Sequence, residues 1–325
     1  MWHVDDRFGS SNHPFLNWVK EQIKDQFGIS DMRPVSLYLG TEIKQDQEMR
    51  DVWIHQEAYI HYLCDEYGLS DANAVSTPMD HQHPFRHDGE MFPDMDNLEH
   101  VYRKIIGELI YLSTCSHPDI AFTVQCLVQQ CTHPKAHHFA VAKCVVCYLH
   151  GMLSLHIHFG NPKVNLSTHA FSDSDWATNP SNCMSITGYV WFFYRGPIAH
   201  ASKKQVTHAL STAEAEYMAL SACAQEGLRL KSFLHSLHQL VSLPLCIHAD
   251  NTVAISLAVT PSNCSQTCHI GACFHFVQEH IACRVFELHW TPTYHTYHNV
   301  ADTLMKSLDC QAFADHRVAL SLVSR

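Results

Sequence analysis

Long apolar runs and a secretory leader are both missing from this sequence. No run approaches the roughly 20 apolar residues that a membrane-spanning helix needs, and the opening segment MWHVDDRFGSSNHPF is polar from its start. We therefore expect an intracellular protein, cytoplasmic or nuclear, that is neither secreted nor embedded in a membrane. In that setting the 14 Cys are expected to be reduced thiols and not a disulfide framework.

Positive charge is scarce as well. The chain has 21 Lys and Arg against 32 Asp and Glu, which gives a formal net charge of −11. Proteins that bind nucleic acid normally present Lys and Arg to the phosphates, so this balance argues against tight binding unless charges are segregated or divalent cations neutralise clustered carboxylates. The 28 His are the other unusual feature of the composition.

The chain is long enough for two globular units. It has 325 residues, of which 46% are hydrophobic and 16% charged, an ordinary balance for a globular protein. The sequence pattern of the first half predicts an α+β fragment followed by helices. Its predicted elements are a helix at 14–28, strands at 35–46 and 50–56, a helix at 57–68 with Gly68 as its carboxyl-terminal cap, a loop at 70–96, and helices near 98–115, 118–131 and 135–151.

From about residue 165 the pattern changes to a mixed sheet with helices on its faces. Ser211 and Glu214 form a capping box at the start of a helix from 212, so Glu214 serves the helix terminus and Glu216 is free for another role. The alternating segment LCIHAD predicts a strand that ends at Asp250, directly before a helix that begins at Asn251. The predicted strands are 166–174, 186–193, 197–202, 244–249 and 284–290.

Four carboxylates in this half lie inside short motifs. They are Asp173 in FSDSDWA, Glu216 in STAEAEYMAL, Asp250 in LCIHADNTVAI and Asp302 in NVADTLMKSL. In this order, with SITGYVWFF, ASKKQVTHALSTAEAEYMALS and HIGACFHFVQEHI, they resemble the ribonuclease H domain of copia-type LTR retrotransposon polyproteins. Upstream, FLNWVKEQIKDQFGISDM and LYLGTEI resemble part of a reverse transcriptase palm, and YRKIIGELIYLSTCSHPDIAFTV resembles the region that links palm and nuclease.

The resemblance implies a fold class and a domain organisation. The fold class is α/β, or α+β overall: a ribonuclease H-like mixed five-stranded sheet with flanking helices, preceded by a truncated reverse transcriptase palm and a helical connection. The implied segments are a palm and thumb remnant at 1–75, a loop and helical connection at 76–164, and a ribonuclease H-like domain at 165–325.

The resemblance also implies an activity, cleavage of the RNA strand of RNA–DNA hybrids. Phosphodiester hydrolysis at neutral pH needs a nucleophilic water and stabilisation of charge on the attacking and leaving oxygens, which two Mg²⁺ ions about 4 Å apart supply. Mn²⁺ could replace Mg²⁺. The implied ligands are Asp173, which bridges both ions from a central strand, Glu216 from the first helix, Asp250 from the next strand and Asp302 from the final helix.

Two further pairs of residues follow from the same resemblance. Lys203 and Lys204 in ASKKQ are the candidates for phosphate contacts. HVDD resembles the polymerase turn that carries paired Asp ligands, here Asp5 and Asp6, but the palm strand that carries the third Asp of such sites is absent from the sequence. We therefore expect a remnant metal pair and no DNA synthesis by this chain alone. The expected partners are an RNA–DNA hybrid and other products of the retroelement polyprotein.

Each carboxylate also has a plainer interpretation. A lone Asp at a strand end is more often a turn or cap residue than a metal ligand, and Asp302 would suit a helix start through its charge. Asp175 would share a strand face with Asp173 and could be taken for the ligand. Trp176 is expected to pack and not to stack on bases. The four motifs together favour the metal site over these interpretations.

Two alternatives concern the Cys and His residues. The family usually has basic residues where this chain has His117, Cys144, Cys147, His150, Cys183 and Met184, which predicts a decayed copy that is catalytically silent and binds nucleic acid weakly at most.

A zinc-binding module is the other alternative, with Cys144-x-x-Cys147 or the group Cys264, Cys268, His269, Cys273 and His275, although neither spacing matches a standard zinc site. His295 and His298 are expected to be solvated loop residues.

Overall fold

The strands and helices fall into two sheets, a helical layer and a short amino-terminal hairpin. The computed structural model describes residues 2–3, 6–7, 13–27, 34–80, 95–160, 168–176, 183–239, 241–260, 271–292 and 299–324. The strands are β1 Trp2–His3, β2 Asp6–Arg7, β3 Leu37–Tyr38, β4 Thr41–Asp46, β5 Asp51–His55, β6 Leu155–Phe159, β7 His169–Asp175, β8 Ile186–Phe193, β9 Gly196–Lys204, β10 Leu245–Ala249, β11 Phe286–Trp290 and β12 Leu322–Ser324. The α-helices are α1 His13–Phe27, α2 Glu57–Glu66, α3 Met95–Cys115, α4 Ala121–Val128, α5 Ala136–Gly151, α6 Thr212–Ser236, α7 Thr252–Val259, α8 Gly271–Ala282 and α9 Cys310–Ala319, and the described 3₁₀ helices are Pro118–Ile120 and Val300–Leu304.

The carboxyl-terminal half contains the predicted mixed sheet. Its strand order is β11-β10-β7-β8-β9, with antiparallel pairs among β7, β8 and β9 and parallel pairs among β7, β10 and β11. The antiparallel strands follow one another along the chain, whereas each parallel strand is reached through a helical crossover, α6 before β10 and α7 with α8 before β11. The predicted ribonuclease H-like mixed five-stranded sheet with flanking helices is therefore confirmed.

Helix α6 covers one face of this sheet. Its buried side chains include Leu220, Cys223 and Ala224, and they pack with Trp191 in the core between helix and sheet. The Trp191 indole N–H donates a hydrogen bond of 3.0 Å to the Cys223 carbonyl. A Cβ at Gly227 would lie 2.4 Å from the same indole ring, so the helix can approach the sheet this closely only with glycine there.

A second five-stranded sheet has the order β12-β6-β5-β4-β3 and is antiparallel throughout. It joins strands from residues 37–55, 155–159 and 322–324, which belong to all three predicted segments. The predicted strand at 35–46 is divided into β3 and β4 by a turn at Leu39 and Gly40, whose φ angles are 49° and 71°.

The helices between β5 and β6 along the chain form their own apolar core. Side chains of α2, α3, α4 and α5 meet in a cluster that includes Leu63, Leu109, Leu127 and Val146. The predicted helix at 118–131 is a 3₁₀ turn followed by α4, which ends at Val128. Among the described residues, no helix is long and apolar enough to cross a membrane.

A third cluster connects the two sheets. Ile157 of β6 and Leu322 of β12 pack against Val190 and Phe192 of β8, together with Leu304 of the second 3₁₀ helix. The segment that carries the predicted carboxylate Asp302 is thus anchored in apolar contacts shared by both sheets.

Two predicted caps are present. Gly68 follows α2 with φ 64°, and the Leu69 N–H donates to the Cys64 carbonyl at 2.7 Å, as in a glycine-terminated helix. At α6 the Ser211 hydroxyl accepts from the Glu214 N–H at 3.3 Å, and the Glu214 carboxylate accepts from the Leu210 N–H at 2.7 Å. Glu214 therefore serves the helix terminus, one residue further back than in a standard capping box.

Candidate active site

Asp173 lies near the carboxyl end of β7, the central strand of the mixed sheet. Its side chain is only 2% exposed, and its Oδ1 accepts a hydrogen bond of 2.8 Å from the Ser174 N–H. Its Oδ2 is buried and finds no hydrogen-bond donor among the described atoms. A buried oxygen without a donor is costly, so this position favours a cation or a proton.

Glu216 and Asp250 approach Asp173 from two other elements. Glu216 lies in the second turn of α6, and Asp250 is the first residue after β10. Asn251 starts α7 at once, because its Oδ1 accepts from the Val253 and Ala254 N–H groups at 3.0 Å each. One carboxylate oxygen each from Asp173, Glu216 and Asp250 lies within 4.8 Å of the other two.

Asp302 reaches the site from a different element than predicted. The sequence placed it on the final helix, but it lies in the 3₁₀ helix Val300–Leu304, and α9 begins only at Cys310. The two helices are separate because Asp309 caps α9, its Oδ1 accepting from the Gln311 and Ala312 N–H groups. Asp302 interacts with Asp173 and forms an ion pair with Lys306, with 2.8 Å between Oδ1 and Nζ.

The acid–base properties of these groups reflect crowding of negative charge. Burial, the Asp302 interaction and the Glu216 charge raise the pKa of Asp173 well above its ordinary value. Burial and the Asp250 charge raise the pKa of Glu216 to about 8. For Asp302 burial acts in the same direction, but the hydrogen bond with Asp173 and the Lys306 ammonium outweigh it and lower the pKa.

The donor set fits a hard divalent cation. All the converging atoms are carboxylate oxygens, which Mg²⁺, Ca²⁺ and Mn²⁺ prefer. Asp173 also has a buried oxygen, Oδ2, without a hydrogen-bond donor. Close carboxylates repel one another unless protons or cations neutralise them. The same crowding therefore raises the pKa values of Asp173 and Glu216 and favours a bound cation. Asp173, Glu216 and Asp250 can therefore hold a metal ion.

Three residues that the sequence did not single out position Asp302. The buried Asn299 side chain donates to the Ser172 carbonyl at 3.2 Å and accepts from the Ala301 N–H at 3.3 Å, so it ties the 3₁₀ helix to β7 beside Asp173. Gly188, the register partner of Asp173, leaves room for this helix, since a Cβ there would lie 2.8 Å from the Ala301 carbonyl oxygen. The third is Lys306, and its spacing of four residues from Asp302 was the available sequence signal.

The predicted nucleic-acid contacts lie on β9, two strands away from Asp173. The strand register places Lys204 on the sheet face of Asp173 and Lys203 on the opposite face. Lys203 is exposed and Lys204 is half-buried. Trp176 is 47% exposed, and its indole N–H donates to the Ala209 carbonyl at 3.2 Å, so its ring is only partly packed.

Other predicted ligands do not assemble within the described part of the chain. Cys144 and Cys147 on α5 belong to no group of three ligating side chains among the described residues, and the same holds for Cys273 and His275 on α8. Of the remnant polymerase pair, Asp5 lies outside the described residues, and only the backbone of Asp6, in β2, lies inside them. Cys264, Cys268, His269, His295 and His298 lie outside the described residues.

Known sequences match this chain both in its amino-terminal segment and over most of its length. Residues 2–81 match the family model described as reverse transcriptase (RNA-dependent DNA polymerase). The retrovirus-related Pol polyprotein from transposon TNT 1-94 of Nicotiana tabacum is 31% identical over 80% of this chain and 20% of its own length. The one from transposon RE1 of Arabidopsis thaliana is 30% identical over 96% of this chain and 21% of its own length. The chain thus spans about a fifth of the length of these polyproteins.

The chain is also similar to a shorter relative and to two solved structures. An uncharacterised mitochondrial protein of Arabidopsis thaliana is 33% identical over 70% of this chain and 91% of its own length. The N-terminal RNase H domain of Rv2228c from Mycobacterium tuberculosis superposes with a TM-score of 0.33 and 13% identity, over 48% of this chain and 99% of that one. LC11-RNase H1, isolated from compost, gives 0.32 and 15%, over 43% of this chain and 94% of that one. With the reverse transcriptase match at one end and the mixed sheet with its converging carboxylates at the other, the chain belongs to the copia-type LTR retrotransposon polyprotein family, as a ribonuclease H-type fragment of such a polyprotein.

Proposed function

We propose that this chain is a ribonuclease H that hydrolyses the RNA strand of RNA–DNA hybrids with Mg²⁺ bound by Asp173, Glu216, Asp250 and Asp302. The observation that carries the proposal is the convergence of carboxylate oxygens from β7, α6 and the end of β10 to within 4.8 Å of one another. These elements are far apart along the chain, and such a cluster is electrostatically costly without a cation. A purely structural role would not need three buried or half-buried acids at one point.

In this proposal each of the four carboxylates has a role in binding the metal ions. Asp173, fixed by the Ser174 N–H, is the central ligand, while Glu216 and Asp250 close the site from the helix and the neighbouring strand. Asp302 adds a fourth carboxylate, and its interactions with Asp173 and with the Lys306 ammonium lower its pKa. When bound, the Mg²⁺ ions supply an activated water and neutralise charge on the attacking and leaving oxygens.

Substrate binding is proposed to involve Lys203 and Lys204, the lysines at the end of β9. The register places them at the level of Ser174 and Asp175, close to the end of β7 that carries the metal site. Lys204 shares the sheet face of Asp173 at two strand spacings, about 10 Å, so its side chain could reach the phosphates flanking the cleaved bond, whereas Lys203 would reach them around the strand end.

The test is cleavage of an RNA–DNA hybrid by the purified chain with and without Mg²⁺. We expect metal-dependent cutting of the RNA strand only, and a loss of at least about a hundredfold in Asp250→Asn, because one ligand of the ion is then neutral. Asp175→Asn is the matched control: Asp175 lies on the same strand as Asp173 but outside the converging group, so its variant should keep most of the activity. Cleavage without added metal, or equal activity of both variants, would contradict the proposal.

A second candidate function is weak nucleic-acid binding without cleavage, as expected for a decayed copy. The formal net charge of −11 favours it, because a net acidic protein repels phosphates unless its metal site is filled. The same experiment separates the two: a folded protein that binds the hybrid in Mg²⁺ but leaves it intact would support the silent remnant.

A further inference from the structure

A second group of ligating side chains lies on the mixed sheet, away from the carboxylate cluster. Cys246 of β10 and Glu287 and His289 of β11 each offer one ligand atom, and these three atoms lie within 4.8 Å of one another. Cys246 and Asp250 are four residues apart along one extended segment, a separation of about 13 Å at roughly 3.3 Å per residue. The group is therefore separate from the site described above.

The strand register explains why these side chains meet. In the parallel β10–β11 pair, Cys246 is the partner of Glu287 and His248 is the partner of His289. Residues two apart on a strand point to the same face, so all four side chains share one face of the sheet. Since Cys246 is also the partner of His169 in β7, this is the face opposite α6.

This face is accessible at β11. Glu287 and His289 are 55% and 42% exposed, whereas Cys246 is half-buried. The His289 Nε2 lies 3.7 Å from the Glu287 Oε1, a distance too long for a direct hydrogen bond but suited to two ligands of one ion. In a tetrahedral zinc site with bonds of about 2.0–2.3 Å, ligand atoms lie about 3.3–3.7 Å apart. Small side-chain rotations would bring the third atom within that range.

The donor set identifies the class of ion. One sulfur, one imidazole nitrogen and one carboxylate oxygen match zinc and similar first-row divalent ions, whereas Mg²⁺ and Ca²⁺ prefer oxygen alone. His248 is placed to support such a site: its ring lies 5.4 Å from that of His289, and its Nδ1 contacts the Thr291 hydroxyl at 3.2 Å. We propose that Cys246, Glu287 and His289 bind one zinc ion, with a water molecule in the fourth position.

Zinc at this position would cross-link β10 to β11 on the sheet face opposite α6. β11 is the edge strand, and the indole N–H of its last residue, Trp290, donates to the Asp250 carbonyl at 3.0 Å. An ion that joins Cys246 to His289 would therefore fix the edge strand next to the loop that carries Asp250. This role does not depend on the proposed nuclease activity.

The test uses Co²⁺ and Zn²⁺ alone on the full chain, purified free of metal with its thiols reduced by a phosphine. We expect one Co²⁺ to bind with a thiolate-to-cobalt charge-transfer absorption that Zn²⁺ abolishes and excess Mg²⁺ does not. Cys246→Ser should remove this absorption. His289→Gln should weaken binding at least about tenfold, since even loss of a residue supporting a metal ligand costs that much.

Two control variants make the outcome specific. Cys283→Ser changes an exposed thiol just before β11, and the double variant Cys273→Ser with His275→Gln changes the other Cys/His group on α8. Both should keep the absorption, as should Asp250→Asn, while circular dichroism checks the fold of each variant. The proposal is wrong if wild type shows no charge-transfer absorption, which would leave a solvated Glu287–His289 ion pair, or if the absorption persists in Cys246→Ser or disappears in the α8 double variant.

Discussion

Glu216 is a site carboxylate whose pKa is strongly raised by burial and by neighbouring negative charge. Burial and the Asp250 charge raise its pKa from 4.5 to about 8, so the folded metal-free protein holds a proton that the unfolded chain has released across this range. The resulting contribution to stability is complete below pH 4.5 and is lost as pH rises through about 8. One such group changes the free energy of unfolding by about 1.4 kcal/mol per pH unit.

We therefore predict that the unfolding temperature of the metal-free protein falls as pH rises from roughly 5 to 8, and that saturating Mg²⁺ reduces the fall. Glu216→Gln should reduce the slope, because its amide does not ionise, while the contribution of Asp173 remains. Glu226→Gln on the same helix, where Glu226 pairs with Arg229, is the control and should keep the wild-type slope. Thermal unfolding followed by circular dichroism measures both, and equal slopes in the two variants would contradict the assignment.

Lys306 makes the opposite contribution, since it brings a positive charge to the carboxylates. The Asp302, Asp173 and Asp250 charges raise the pKa of Lys306 above its ordinary value despite its burial, so the ammonium persists at neutral pH. Its Nζ lies 2.8 Å from the Asp302 Oδ1 and therefore competes electrostatically with a bound ion. In the metal-free protein it offsets repulsion among the acids.

Replacing Lys306 with Met should lower the stability of the metal-free protein and tighten Mg²⁺ binding by roughly tenfold, about the effect of removing one nearby positive charge. Calorimetric titration with Mg²⁺ measures the affinity. Lys231→Met, on α6 and outside this ion pair, should leave it unchanged. Weaker Mg²⁺ binding in Lys306→Met would show instead that the positioning of Asp302 by Lys306 outweighs its competition with the ion.

At the residue scale, sequence motifs predicted the four carboxylates but not the residues that hold them. Asp173, Glu216 and Asp250 stand at strand ends and in a helix whose capping signals are local, so their elements could be predicted. Asn299 and Gly188 act through contacts with the Ser172 and Ala301 carbonyls, which are distant along the chain or across strands. No local sequence pattern predicts such contacts. The roles of the four carboxylates as metal ligands stay predictions.

At the scale of elements, the 3₁₀ helix Val300–Leu304 is the part of the site most sensitive to packing. It lies against β8 at Gly188, where an added Cβ would meet the Ala301 carbonyl oxygen at 2.8 Å and the Leu304 Cβ at 3.1 Å. Both neighbours belong to the same short helix, which cannot yield without moving Asp302. The position of this carboxylate thus depends on the absence of a side chain on the neighbouring strand.

Gly188→Ala should destabilise the protein by about 1–3 kcal/mol, as overpacking does, and should weaken Mg²⁺ binding by displacing Asp302. Gly107→Ala is the control: a Cβ there meets nothing within 4 Å in the middle of α3, so it should be neutral or stabilising by up to about 1 kcal/mol. Chemical denaturation gives the stabilities and calorimetry the affinity. Unchanged Mg²⁺ binding in Gly188→Ala would show that Asp302 does not contribute to metal binding.

Strand prediction succeeded in the mixed sheet and for β4 and β5 of the second sheet, but it missed β6 and β12 of the second sheet for a physical reason. The predicted strands 186–193 and 197–202 correspond to β8 and β9, whose alternation and connecting turn are adjacent in sequence. No strand was predicted at 155–159 or 322–324, because β6 and β12 gain their partners only through pairing with distant segments. A three-residue strand has too little periodicity to be recognised on its own.

At the scale of the whole molecule, the second sheet crosses the predicted domain boundaries. The boundary near residue 165 stays a prediction, but β6 lies before it while its partner β12 lies after it. Ile157 and Leu322 also share the apolar cluster that contains Val190 and Phe192 of the mixed sheet. The ribonuclease H-like sheet therefore depends on side chains from upstream of that boundary.

A fragment of residues 165–325 should be less stable than the full chain and should self-associate, because it exposes the apolar surface that Ile157 covers and leaves β12 without a partner. Thermal unfolding and size-exclusion chromatography of both proteins measure these effects. Ile157→Ala in the full chain is the milder variant, with an expected cost of about 2–5 kcal/mol. A monomeric fragment as stable as the full chain would mean that the two sheets are energetically independent.

The late position of β12 has a consequence for synthesis on the ribosome. β6 is complete at Phe159, but the strand that covers its free edge is Leu322–Ser324. At 5–20 residues per second, translating the intervening stretch of about 160 residues takes roughly 10–30 s. During that interval the nascent chain presents an unpaired edge, which is open to pairing with a neighbouring copy on the same messenger RNA. A chaperone that binds extended apolar segments would have its main opportunity during this interval.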